Sequence, residues 1–152
     1  MYELLKYIHI VAAIAWVGGG LFAQLLALRA QRSNDPSDLP RLGYLFEYFG
    51  LRYFLPASVT LFVAGLLMTA QRFEFREAWI SISMALWFVS VLLGALYIGP
   101  RSKRVAELYE QQGPTSVAAR SLMSRLFLVS RLELVGFAVI VALMVFKPGV
   151  GT

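Results

Sequence analysis

The chain has 152 residues, 59% of them hydrophobic and 15% charged, with a formal net charge of +5 and no cysteine. A soluble domain carries about a quarter charged residues, so a mean hydropathy of +0.67 with the apolar residues gathered in four blocks describes one multi-pass membrane domain over residues 1–152. Disulfides, thiolate zinc sites and cysteine-ligated iron–sulfur clusters are excluded, and the basic residues flank apolar blocks, as topology signals do, which argues against nucleic acid as a partner.

The first block, Tyr7 to Leu28, holds 22 residues between Lys6 and Arg29. At about 1.5 Å per residue it covers roughly 33 Å, enough for a hydrocarbon core of about 30 Å. It is longer than a signal-peptide core and has only Lys6 before it, so a retained helix is expected. Arg29 and Arg32 close it, and the turn-rich SNDPSDLP follows, with Pro36 and Pro40. Residues 41–52 place Leu42, Leu45, Phe46 and Phe49 on one helical face, which predicts a helix lying in the membrane interface. The alternative is an early start to the second span.

That second span is 53–71, with Pro56 in its first turn, where a missing N–H costs little. Six residues, RFEFRE, make a tight hairpin to the third span, 78–99, which Pro100 is expected to stop. Along it Ser83, Trp87, Ser90, Gly94 and Tyr97 form one stripe of small and polar groups, a pattern of close helix approach in lipid. A basic, polar helix leads to a break at Gly113 and Pro114. The fourth span is 126–146 and must include Arg131 and Glu133, because the 13 uncharged residues from Leu134 to Phe146 cover only about 20 Å.

The two long loops with their flanks, 29–52 and 101–125, hold nine Lys and Arg, against four at the two tails and the short loop. The positive-inside rule then places the long loops in the cytoplasm and both termini outside an inner cell membrane. The expected fold is all-α, a four-helix transmembrane bundle with an interfacial helix in the first cytoplasmic loop.

His9 is the single histidine, about 8 Å below the outer face. An ionisable group inside a membrane is a functional candidate because burying it is expensive. Its helix face continues through Ala12 or Ala13, Trp16 and Gly19 or Gly20, a run of small residues that faces a neighbouring helix. At the same depth lie Gly65, Met68 and Thr69 on the second span, and Ser83, Met84 and Trp87 on the third. An imidazole with thioethers at its level suits haem iron or Cu(I), so the candidate cofactor residues are His9, Met68, Met84 and Trp16, with His9 as the metal ligand. The alternative is a neutral histidine that donates one hydrogen bond to a Ser or Thr on the next helix, with the methionines as filler.

Glu133 and Arg131 form a second group, structural or proton-linked. Two residues apart on a helix, they point to opposite sides. Arg131 can snorkel to the headgroups, and Glu133 needs a partner, for which Arg52 and Arg101 are the candidates. Phosphate-binding loops, a nucleophile elbow and paired catalytic carboxylates are all missing, and Gly18 to Gly20 lie inside an apolar helix, as a packing or kink device.

The opening YIHIVAAIAWVGGGLFAQLLALRAQR, with His9, Ala12, Ala13, Trp16, Gly18, Gly19 and Gly20, resembles the first helix of small bacterial membrane proteins grouped with copper-resistance protein D. That group takes in an uncharacterised four-span family and the membrane-bound protoporphyrinogen oxidases. The resemblance implies a haem-ligand role for His9. The lysine that the oxidases use deep in a later helix has no counterpart, since Lys6, Lys103 and Lys147 all lie outside the deep spans. Two function classes follow. One is a cofactor protein binding haem b or copper through His9 for electron transfer or metal handling. The other is a cofactor-free structural or accessory protein that binds lipid, a partner membrane protein or a second copy of itself.

Overall fold

The computed structural model describes residues 1–33, 35 and 37–148, and the turn expected at Pro36 lies outside them. Four helices carry the chain: α1 (Tyr2–Arg32), α2 (Asp38–Arg72), α3 (Ala78–Gln112) and α4 (Val117–Phe146), each long and apolar enough to cross a membrane. No strand occurs among the described residues. Ser116 caps α4 by accepting from the Ala119 N–H at 3.2 Å. Gly113 closes α3 at φ +80°, a left-handed conformation that favours glycine.

Both middle helices run further than expected. Residues 41–52 are the first third of α2 rather than a separate interfacial helix, so the early-start alternative describes the backbone. Pro40 sits in the first turn, where it leaves no hydrogen bond unmade. Pro100 does not stop α3, which continues to Gln112. A proline inside an α-helix clashes with the carbonyl four residues back. Here each helix widens just before its proline into a π-turn, Gly50–Phe54 before Pro56 and Leu93–Ile98 before Pro100. The Leu55 N–H then bonds the Gly50 carbonyl, and the Gly99 N–H the Gly94 carbonyl, five residues back in each case. The wider turn makes room for the ring, and the helix goes on.

The extensions explain where the core lies. The first third of α2 packs on the last third of α3, with Gly43 against Ala106, and both cover the start of α4. Leu42, Val105, Tyr109, Met123 and Phe127 are buried there with Ala27 and Ala30 of α1. Phe46 meets Phe127 edge-on, and the Tyr44 hydroxyl donates to Glu110. Half of the apolar face read as interfacial therefore covers protein: Leu42 and Phe46 turn inward, while Leu45 stays exposed. The Tyr109 hydroxyl is buried with no partner among the described residues. Removing a buried, unsatisfied donor relieves its desolvation cost, so Tyr109→Phe is expected to stabilise the protein by about 1 kcal/mol. Denaturant unfolding in detergent checks this, and a loss of stability would show that the hydroxyl has a partner.

At the opposite end the tails meet the short connection. Arg72 lies over the Tyr2 ring at 4.2 Å, and Lys147 lies 5.1 Å from Phe73 and 5.6 Å from Trp79. Tyr2 and Lys147 thus share one end, the tail end, with residues 73–77. The loops rich in Lys and Arg share the other, the basic end.

Candidate functional site

Close approach of α1 and α2 seats His9. Its Nδ1–H donates to the Leu61 carbonyl at 2.9 Å. The ring lies over Gly65, where a Cβ would come within 3.0 Å of Cε1. Gly65 falls at the depth read for it from the helical rise, but the acceptor is a backbone carbonyl rather than a Ser or Thr. Donation from Nδ1 leaves the Nε2 lone pair free, the arrangement in which a histidine ligates a metal.

A copper site needs more than one protein donor, and a His/Met haem needs a second axial ligand. Neither Met68 nor Met84 makes a hydrogen bond to His9, and both are half-buried. No group of three or more His, Cys, Asp or Glu side chains that could hold a metal occurs among the described residues. The imidazole fits as one ligand.

Towards the basic end, Trp16 is buried against Phe137 with ring centroids 3.9 Å apart. Trp87 stacks on Phe62 at 3.9 Å and 9°, and its Nε1–H donates to the Ser58 hydroxyl at 2.9 Å. The Trp16–Phe137 pair and Ser58 border a cavity of about 480 Å³ that all four helices line. α2 packs mainly on α1, and α3 mainly on α4, so the space lies where the two pairs diverge. Both π-turns face it through Gly50 and Gly94, and its walls are largely apolar, including Phe49, Phe54, Phe127 and Phe137. His9, Met68 and Met84 do not line it. No lining residue is a histidine or a methionine, so nothing in the cavity would ligate a haem iron in the way implied for His9.

Its polar residues come from all four helices. Ser130 donates to the Phe127 carbonyl at 3.3 Å and so offers its lone pair to Gln24 Nε2, which donates to it. That bond fixes the amide, and Gln24 Oε1 is left buried with no partner among the described residues. The Ser90 hydroxyl donates to Glu133 Oε1 at 2.5 Å. The partners expected for Glu133 are elsewhere: Arg101 lies 3.7 Å over the Tyr97 ring, and Arg52 is exposed.

Of the residues singled out in the sequence, the structure brings Trp16 and Glu133 to one cavity and leaves His9 outside it, nearer the tail end. Gln24, Ser58 and Ser130 were not recognised as a group. The π-turns had a signal that went unread, the spacing Gly-x-x-Tyr-x-x-Pro at both 50–56 and 94–100.

No curated protein and no solved structure matches the chain. One family model, described as predicted integral membrane protein (DUF2269), matches residues 3–148, a stretch that includes the whole cavity. The chain belongs to that family of integral membrane proteins.

Proposed function

We propose that this is an inner-membrane protein, with its basic end in the cytoplasm and both termini outside, that binds a lipid-soluble small molecule inside the bundle. The basic loops support the orientation through the positive-inside rule. The observation that carries the function is the cavity of about 480 Å³, apolar in its walls yet holding a carboxyl group and an unpartnered amide oxygen. Small-molecule sites are of this kind, concave and apolar with a few fixed polar groups, and span a few hundred to a thousand Å³. A packed structural bundle has no need of such a space, since helices in lipid associate through close packing. This develops the accessory-protein class rather than the cofactor class.

A second reading keeps a haem or copper on His9, favoured by the orientation of Nδ1 towards Leu61 and by the likeness of the first helix to the copper-resistance D group. One experiment separates the two. Native mass spectrometry of the protein released from nanodiscs is expected to show an adduct of a lipid-soluble organic molecule. The adduct should be lost when Gly94→Leu, at a lining position where a Cβ meets nothing within 4 Å, fills the cavity, and kept in His9→Ala. An adduct of haem or copper that His9→Ala removes would establish the second reading instead.

A further inference from the structure

The polar groups of the cavity have a common sign. Glu133 offers a carboxylate, one oxygen of which takes the Ser90 hydroxyl while Oε2 has no partner among the described residues. Among the described residues no basic side chain forms an ion pair with it. Gln24 offers a second acceptor, Oε1, with its own donor already engaged by Ser130. The Ser130 and Ser90 hydroxyl protons are likewise spent on Phe127 and Glu133. The deep part of the cavity therefore presents acceptors and, with Glu133 ionised, a negative charge, and the donors left are the hydroxyls of Ser58, which accepts from Trp87, and Ser102. Around them stand the faces and edges of Trp16, Phe54 and Phe137. Aromatic faces attract cations, the more so away from water, and an uncompensated carboxylate at membrane depth is costly until a positive charge joins it.

We propose that the molecule held in the cavity is a lipophilic cation, an ammonium-bearing amphiphile whose charged group pairs with Glu133 and whose apolar body lies against the aromatic walls. This rests on the binding function proposed above and narrows it to a ligand class. An anionic amphiphile fits less well. The one basic residue in the lining, Lys103, is exposed at the rim, where Glu47 also lies, so an anionic head placed there leaves Glu133 facing the apolar tail.

The test uses three probes that share one fluorophore: pyrenemethylamine, pyrenemethanol and pyrenecarboxylate. Each is titrated at pH 7 into nanodiscs containing the protein, with energy transfer from tryptophan to pyrene as the readout and empty nanodiscs as the partition control. The ammonium probe is expected to bind about tenfold more tightly than the alcohol, as one charge-assisted contact supplies. Glu133→Gln should abolish that preference, with circular dichroism in the same nanodiscs to show that the variant is folded. Glu133→Asp should keep part of the preference. Equal binding of all three probes, or tightest binding of the carboxylate, would overturn the cationic class while leaving the binding function intact. Should no probe bind above empty nanodiscs, the binding function falls with it.

Discussion

Trp16→Ala is expected to destabilise the protein by about 3 kcal/mol, the largest loss from any single truncation. Trp16 is 4% exposed, stacks on Phe137 and packs with Ala12 and Leu61 where α1, α2 and α4 converge. Solvent transfer contributes less here than in a water-soluble core, because lipid is itself apolar. The loss comes instead from dispersion contacts that no neighbour can replace. Trp16 also floors the cavity, so its removal widens the space without offering new polar groups. Trp16→Phe should cost less than half as much, since it retains the ring against Phe137. Unfolding in mixed detergent micelles, followed by circular dichroism, gives both values. A loss below about 1 kcal/mol for the alanine variant would mean that the three helices are held together elsewhere.

Gly65→Val should be nearly as damaging, for the opposite reason. A Cβ at that position comes within 3.0 Å of His9 Cε1 and 3.3 Å of Nδ1, and valine adds two methyl groups beyond it. The imidazole must leave, and its bond to Leu61 breaks as it goes. Overpacking typically costs about 1–3 kcal/mol and a lost buried hydrogen bond about 1 kcal/mol, so about 3 kcal/mol in all is expected. His9→Ala alone should cost about 1 kcal/mol. The combination of His9→Ala with Gly65→Val should recover part of the valine penalty, because the space left by the ring admits the methyl groups. Simple additivity in that double-mutant cycle would show that the ring is not seated on the glycine.

The sequence discloses the four apolar helices and the depth at which His9 meets Gly65, because rise per residue and apolar run length are one-dimensional quantities. It discloses less where the chain departs from α geometry. Pro100 reads as a stop because proline in an α-helix is one, and only the widened turn before it removes the clash. Residues 41–52 read as interfacial because their apolar face has no visible partner until 99–112 is known to be helical and adjacent. For Glu133, opposite charge pointed to arginines, and the depth of Ser90 on the facing helix decided otherwise. The cavity itself is a lack of packing between two helix pairs, and no residue pattern encodes a lack.

The two π-turns also set the phase of the chain. Each amounts to one residue more than an unbroken α-helix needs, and one residue is about 100° of rotation about the helix axis. Gly43 meets Ala106 only because that turn is taken in both α2 and α3. Shortening Gly50–Phe54 by one residue would put Arg41 at the buried site of Leu42 and drive Leu42 into the place where Gly43 meets Ala106, while α3 stayed as it is. The lengths of these helices are therefore fixed to the residue on the basic side of the cavity.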